Sequence, residues 1–399
     1  NNKSRKPRYI RSHNRRLILS LFYENGILPV SELVARTGLS KTTIMKIIND
    51  FIEEELICSA GKGDSTEEGG KRPELYTYRD DRASLLVMYN GWLTLTDLHG
   101  KPLERHQVIP DFHKKTYEDV IALLSDSILR LMWKRHLKPE HLAGIVLAIA
   151  GIVDSEQGMV CHAVHSQAWP DQRPIVRDLR EALSLDIPVY LENDAAFFGF
   201  AELLDPGNRS VSSIVTISAG IHTGGCVLRD HALIHGSSGF VGEFGHTTVD
   251  PHNGIQCICG GHGCFEVMVN PERLLASAPS PVAEKSAAGQ SGHVNHQIIQ
   301  VFDKANQGDP QACRIVDEAV YWFAILIRGI IVQNDPQLII IQGTYQQAGR
   351  YFIDQLHQAV YSSPLFKARS NLEIRYSGLN RDRDFLRGAA YYVYRRQLT

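Results

Sequence analysis

The stretch SLLVMYNGWLTLTD, residues 84–97, decides how the fold of this chain is interpreted. Two apolar, β-prone segments flank Asn90-Gly91, and an Asn-Gly pair in that position is the strongest short-range signal of a β-hairpin. His99-Gly100 then turns the chain into a third strand that reaches Ile109. The pattern predicts strands over 84–89 and 92–97 in an antiparallel meander.

The residues after this meander predict an α/β unit. A helix capped by Thr116 carries apolar residues at helical spacing, and the apolar run 145–149 is typical of a buried parallel strand. Three antiparallel strands, a helix and a parallel strand form the opening of a ribonuclease-H-like unit. A similar order begins again near Ser213, without a residue-level repeat, with strands at 214–218, 225–228 and 338–341 and helices at 310–332 and 347–360. We therefore expect two ribonuclease-H-like subdomains, 81–210 and 211–399.

Residues 1–80 show a different pattern, that of a small helical unit with a β-hairpin. Helices are predicted over 15–24, 32–36 and 41–54, and Ser31 and Ser40 are the expected N-caps of the second and third. Strands at 56–59 and 75–78 would form a wing. This is the winged form of the helix-turn-helix, in which the second helix of the motif enters the major groove of DNA. The residues expected to contact DNA are Arg16, Ser40, Lys41, Thr42, Thr43, Lys46 and Arg72.

The distribution of charge favours a nucleic-acid partner. The 399 residues carry a net charge of −2, yet the first 16 hold seven lysines and arginines and no acid. Such an arm can neutralise DNA phosphates, although a helical module that binds a protein is the alternative. One short recognition helix reads few base pairs, so we expect a homodimer or a dimer of dimers on a double-stranded DNA operator.

Composition excludes several classes of protein. Hydrophobic residues make up 43% and charged residues 22% of the chain, which is typical of a globular protein and not of a disordered or collagenous one. No apolar run approaches the ~20 residues of a membrane span, and the N-terminal region lacks the pattern of a signal peptide. Seven cysteines, an odd number, fit a reducing compartment. We expect a cytoplasmic protein.

Three cysteines within eight residues predict a metal site. Cys257, Cys259 and Cys264 are separated by glycines that allow a tight backbone path, so their thiolates can converge on one ion. Either His246 or His262 can supply a fourth ligand, and three unligated cysteines in a loop are the alternative. Four protein ligands close the coordination sphere, which predicts a structural Zn²⁺ that does not activate water.

Carboxylates and an amide beside this motif predict a sugar site. Glu243 and Glu266 bracket the cysteines, and carboxylates accept hydrogen bonds from vicinal hydroxyls. Asn193 and Asp194 follow a predicted strand at 187–191, where an α/β sheet faces its ligand crevice. Asp194 can also act as a general base, and N-capping of the next helix is a sufficient structural reason for this pair.

Four features together resemble the ROK family of bacterial sugar-responsive repressors and sugar kinases. They are the winged helix joined to residues 144–151, the Glu-Asn-Asp-Ala run at 192–195, the Glu-x-Gly-His step at 243–246 and the Cys-x-Cys-Gly-x-x-Gly-Cys-x-Glu run at 257–266. The likeness covers nearly the whole chain and, because of the N-terminal domain, is closer to the repressors. It implies an actin-like ATPase arrangement with ligand in the cleft between subdomains. The implied zinc ligands are His246, Cys257, Cys259 and Cys264, and the implied sugar contacts are Asn193, Asp194, Glu243, His246 and Glu266.

The same resemblance exposes three departures from ROK kinases. The kinases carry Asp-x-Gly-Gly-Thr in the first hairpin, where this chain has Tyr-Asn-Gly-Trp at residues 89–92. Their Gly-Thr-Gly-x-Gly turn corresponds here to AGIHTG at 219–224. Their glycine pair on the adenosine side corresponds to Gln342-Gly343. Phosphoryl transfer depends on positioning and charge neutralisation, so we expect no kinase activity even though Asp194 occupies the place of the kinase base. The resulting hypothesis is a transcriptional repressor that responds to a sugar or sugar phosphate. An active hexose kinase is the alternative, and a protein effector from a sugar-transport system is a third reading.

Overall fold

The computed structural model describes residues 14–397 apart from 16, 20, 24, 55, 64–71, 79–83, 165, 167, 209, 253, 277–290 and 369–370. Of the seven basic residues in the N-terminal arm, Arg15 lies among the described residues, where it forms an ion pair with Asp50 at 3.5 Å. Arg16 and the other basic residues of the arm lie outside the described residues, as does the tip of the wing. None of the helices within the described ranges has the length and apolar content needed to cross a bilayer.

The N-terminal domain is a winged helix-turn-helix. Its elements are helix α1, formed by the described residues within 14–25, β1 (Leu28–Pro29), α2 (Val30–Thr37), α3 (Lys41–Glu53), β2 (Ile57–Lys62) and β3 (Glu74–Tyr78). The strands form one sheet in the order β1-β3-β2. As predicted, Ser40 caps α3, and its side chain accepts a hydrogen bond from the Thr43 N–H at 3.2 Å.

The predicted cap of the second helix is wrong. Helix α2 begins at Val30, so that Ser31 lies in its first turn, and the residue at the N-cap position is Pro29 without a side-chain hydrogen bond. The reason is the short strand β1, in which Leu28 pairs with Tyr76 of the wing. Pro29 stays extended as the end of that strand, and the helix starts directly after it.

The first ribonuclease-H-like subdomain is built on a five-stranded sheet. Its elements are β4 (Ser84–Tyr89), β5 (Trp92–Asp97), β6 (Pro102–Gln107), α4 (Tyr117–Lys134), β7 (Leu142–Ile149), β8 (Ile152–Asp154), β9 (Met159–His162), α5 (Ile175–Leu183), β10 (Val189–Asn193) and α6 (Asp194–Glu202). The order is β10-β7-β4-β5-β6, with β7 parallel to both neighbours. The predicted meander is confirmed, and Asn90 and Gly91 have φ of 48° and 76°, as its tight turn requires.

A second five-stranded sheet has the same pattern of strand directions. Strands β11 (Ser213–Ala219), β12 (Gly224–Arg229), β13 (Ala232–Leu233), β14 (Leu338–Gly343) and β15 (Glu373–Tyr376) form the order β13-β12-β11-β14-β15. The first three are antiparallel, and β14 runs parallel to β11. The remaining helices are α7 (Phe265–Met268), α8 (Pro271–Ala276), α9 (Ser291–Asn306), α10 (Pro310–Asn334), α11 (Gly349–Val360), α12 (Pro364–Lys367) and α13 (Arg381–Gln397).

The C-terminal helix α13 returns to the first subdomain and packs along α6. Tyr392 lies 5.4 Å from the ring centroids of both Phe197 and Phe200. The helices approach closely at Gly388, where a Cβ would lie 1.9 Å from the carbonyl oxygen of Phe197. One continuous apolar core therefore joins α6, α13, the back of the first sheet and the winged-helix domain.

Candidate sugar site, metal centre and DNA-binding surface

A cleft of about 560 Å³ lies between the two subdomains. Its walls come from the end of β10, from the turn between β11 and β12, and from the segment that contains Glu243 and His246. Parallel strands place their carboxyl ends at such a crevice, which explains why polar residues that follow β10 face it. Of the five predicted sugar contacts, the cleft brings together Asn193, Asp194, Glu243 and His246.

Asn193 is both an N-cap and a wall residue. It ends β10, and its Oδ1 accepts a hydrogen bond from the Ala195 N–H at 2.8 Å, so the capping interpretation is confirmed. Its Nδ2 donates to the Gly151 carbonyl at 2.8 Å and lies 3.4 Å from Glu243 Oε1. The amide is thereby fixed between the first subdomain and a carboxylate of the second.

Glu243 lies in an acidic and buried environment. Burial raises the pKa of this carboxyl to about 7, with further contributions from the nearby carboxylates of Asp194 and Glu266. A carboxyl group that lines a cleft in this way is suited to accept hydrogen bonds from hydroxyl groups of a ligand.

Glu266 lies behind the cleft and does not line it. Its carboxylate, only 4% exposed, accepts a hydrogen bond from the Thr223 N–H at 2.6 Å. Burial raises the pKa of Glu266, and the hydrogen bond from Thr223 acts in the opposite direction. Glu266 therefore holds the β11–β12 turn against α7.

The predicted metal ligands converge. The candidate ligand atoms of His246, Cys257, Cys259 and Cys264 all lie within 4.8 Å of one another, so these four side chains are placed to bind a metal ion. His262, the alternative fourth ligand, lies outside this group in the described part of the chain.

The two ring nitrogens of His246 face different neighbours. Cys257 Sγ is 3.6 Å from His246 Nδ1, and the other pair, Cys259 Sγ and Cys264 Sγ, is also 3.6 Å apart. The Nε2 atom of His246 faces Glu243 instead, 3.9 Å from its Oε2. Burial, together with the Cys259 thiol, raises the pKa of the Cys264 thiol, so the charged form of this cluster needs a cation.

The backbone path of the cysteine loop depends on glycine. Gly263 has φ of 65°, and a Cβ there would lie 1.9 Å from the Asp250 carbonyl oxygen. Gly260 also has a positive φ, of 87°. These two positions let the loop fold back so that the thiols meet.

Three residues that line the cleft, Arg105, Asn295 and Thr344, were not predicted from the sequence. Arg105 lies over the Trp92 ring, 4.5 Å from its centroid, and both line the cleft together with Asn295 and Thr344. Thr344 Oγ1 donates to Asn295 Oδ1 at 2.9 Å. No local motif marks these residues, because they come from strands and helices far apart in sequence.

Gln342, at a predicted departure from kinases, is turned away from the cleft. It is buried and its Nε2 donates to Glu202 Oε1 at 2.7 Å. The Gln342 amide therefore contacts α6 and not the cleft.

The recognition helix α3 has two distinct faces. Lys41, Thr42 and Lys46 are exposed, and Arg72 is exposed at the base of the wing. The hydroxyls of Ser40 and Thr43 lie 2.8 Å apart at the start of the helix, where they form its cap. The opposite face is buried in the core of the domain through Ile44, Ile47, Ile48 and Phe51.

Comparison with known proteins identifies the family. The sequence profile of the ROK family matches residues 91–396, which is most of the chain. This chain belongs to the ROK family. A profile described as winged helix-turn-helix DNA-binding matches residues 11–57 of this ROK protein.

Relatives of this ROK protein include repressors and kinases. It is 25% identical over 384 residues to the xylose repressor of Bacillus spizizenii, covering 94% of this chain and 93% of that repressor. It is 27% identical over 279 residues to the glucokinase of Halalkalibacterium halodurans, covering 68% of this chain and 83% of the glucokinase. The crystal structure of a ROK family transcriptional regulator, a homologue of the E. coli MLC protein, shares its fold with a TM-score of 0.76 and 22% identity, covering 97% of this chain and 96% of that one.

Proposed function

We propose that this ROK protein is a sugar-responsive transcriptional repressor whose ROK domain binds a sugar or sugar phosphate without transferring phosphate. The proposal depends on one observation: the same chain contains a winged helix-turn-helix and a cleft lined by carboxylates. The turns that bind nucleotide in ROK kinases differ in this cleft. The alignment with the xylose repressor supports it because that alignment spans 94% of the chain.

DNA recognition is assigned to the exposed face of α3 and to the wing. Lys41, Thr42 and Lys46, which are exposed, would contact the major groove and its phosphates, and the exposed Arg72 would contact the backbone beside the wing. Arg16 and the basic arm would add phosphate contacts. A homodimer, or a dimer of such dimers, would place two recognition helices on one pseudo-palindromic operator.

Sugar recognition is assigned to Asn193, Asp194, Glu243 and His246 in the cleft, while Glu266, behind the cleft, would support the site by holding the β11–β12 turn. We assign a structural Zn²⁺ to the three cysteines and His246, because a Cys₃His set at these separations fits tetrahedral zinc. The ion would hold the cysteine loop closed. With Nδ1 of His246 turned to the metal, its Nε2 carries a proton and becomes a hydrogen-bond donor at the sugar site.

The absence of phosphoryl transfer follows from the β11–β12 turn and the first hairpin. A phosphate-binding turn offers free backbone N–H groups, yet the Thr223 N–H already donates to Glu266. In the first hairpin, the indole of Trp92 and its stacked Arg105 occupy a place where a kinase needs small residues.

A contiguous set of contacts links the cleft with the DNA-binding domain. Asp194 begins α6, α6 packs along α13, and Tyr394 of α13 stacks on Tyr23 of the winged-helix domain. A sugar that favours one position of α6 would therefore favour one position of the winged helix, and so change operator affinity.

One assay distinguishes an active sugar kinase from a sugar-responsive repressor. The protein is incubated with ATP, Mg²⁺ and xylose or glucose, and ADP release is followed, with the D194N variant as the matched control. We expect no sugar-dependent release above that of D194N. Sustained release that disappears in D194N would overturn the proposal in favour of an active sugar kinase.

A further inference from the structure

The sugar site lies at the junction of two cavities. Besides the cleft, a second cavity of about 530 Å³ opens on the other side of Glu243 and His246, and these two residues and Val164 line both. The second cavity lies between the subdomains, with the β8–β9 hairpin on one side and the segment after β13 on the other. A ligand held by Glu243 therefore has room on both sides.

The lining of the second cavity combines apolar surface with a few polar groups. Ile152, Val164 and Phe240 supply the apolar part. The polar part includes a hydrogen-bonded pair, His162 Nδ1 and Asp171 Oδ1, 2.6 Å apart. Pockets that orient small ligands have this composition.

Phe240 gives the strongest indication of the class of ligand that the second cavity would bind. Its side chain is 65% exposed at the rim of the cavity, although burial of a phenyl ring is strongly favourable. A pyranose ring has an apolar C–H face that packs on an aromatic ring and hydroxyl groups at its edge that bond to side chains such as those of His162 and Asp171. The second cavity thus offers both surfaces that a second sugar ring requires.

We propose that the effector of this protein is a disaccharide or larger glycoside. One ring occupies the site of Asn193, Asp194 and Glu243, and the next ring passes His246 into the second cavity and packs on Phe240. This inference rests on the proposed function, since it extends the same sugar site.

The test compares monosaccharides with disaccharides built from them. Xylose, xylobiose, glucose, cellobiose and maltose are titrated into the full chain by calorimetry. We expect at least one disaccharide to bind about 10-fold more tightly than its own monosaccharide. In F240A this advantage should disappear while monosaccharide affinity is kept.

Two further variants test whether the effect is specific to the second cavity. S238Y places a bulky side chain in the second cavity and should abolish only the disaccharide advantage, whereas Y321A removes a comparably exposed aromatic ring from α10 and should change neither affinity. Monosaccharide binding with no tighter disaccharide binding would overturn this inference and leave the proposed function standing. Failure of every sugar in the set to bind would overturn this inference, and failure of their phosphorylated forms as well would overturn the proposed function.

Discussion

Tyr23 of the winged-helix domain stacks on Tyr394 of the C-terminal helix, with ring centroids 4.4 Å apart and an interplanar angle of 28°. Tyr391, one turn earlier on α13, lies 5.8 Å from the same Tyr23 ring. The Tyr23 hydroxyl donates to the Leu98 carbonyl of the first subdomain at 3.3 Å. The winged-helix domain is therefore docked on the ROK domain through buried aromatic rings.

Removing the Tyr394 ring should uncouple the two domains. Y394A is expected to lower the free energy of unfolding by about 3 kcal/mol, since a buried aromatic ring is deleted, and to weaken the effect of sugar on operator affinity. The control is Y394F, because the Tyr394 hydroxyl has no hydrogen-bond partner among the described residues. Y394F should keep the sugar response, as measured by urea unfolding and by DNA titration with and without sugar. An unchanged sugar response in Y394A would contradict this coupling route.

Metal content tests the cysteine cluster. The protein is expected to contain one Zn²⁺ per chain, and C264S should lose it and unfold at a lower temperature, because the ion fixes the loop. C313S is the matched control, since Cys313 lies outside the cluster. Elemental analysis of chelator-free preparations measures the content. Zinc-free wild-type protein, or zinc retained in C264S, would argue against the assignment.

The salt dependence of DNA binding tests the recognition helix. K41Q should weaken operator binding at low salt and reduce the slope of log K against log salt by about 1, as expected when one phosphate contact is lost. K304Q, on the exposed surface of α9, is the control and should leave the slope unchanged. Fluorescence anisotropy at several salt concentrations gives both slopes. Equal slopes for wild type and K41Q would place the DNA-binding surface elsewhere.

A contact between the subdomains should depend on pH. His235 Nε2 lies 2.7 Å from Glu192 Oε2, and this hydrogen bond raises the pKa of His235. Burial and Arg396 oppose this rise, whereas Glu156 adds to it. Because the pKa of His235 is higher in the folded than in the unfolded state, the protonated imidazole stabilises the fold. This stabilisation is complete below about pH 6.5 and is lost as the pH rises through the raised pKa. H235Q should therefore be less stable than wild type at pH 6, with a smaller difference at pH 9. Urea unfolding at both values measures this, and a difference that is the same at both pH values would refute the role of the charge.

Local signals in the sequence were sufficient for much of the fold. The Asn90-Gly91 turn and the caps at Ser40 and Thr116 were predicted because each depends on residues adjacent in sequence. The cysteine spacing likewise predicted that the three thiols converge. Ser31 misled the prediction because pairing of β1 with the distant strand β3 fixed the start of α2.

Contacts between residues that are far apart in the sequence could not be predicted from local signals. The return of α13 to α6 depends on Gly388 meeting the Phe197 carbonyl across almost two hundred residues, and no periodic pattern reports that contact. The second cavity escaped prediction for the same reason, since its walls come from the β8–β9 hairpin and the segment after β13. Glu266 was identified from its motif, but its hydrogen bond to Thr223 became evident only in the fold.

The most direct test of the central claim is the affinity of the full chain for its operator, selected from random duplexes, with and without sugar. A sugar that binds the cleft should change this affinity by about 5- to 150-fold, the usual range of coupling between two sites. The change should be lost in D194N, which retains the winged helix. Operator affinity that no sugar alters, or that shifts equally in D194N, would contradict the account.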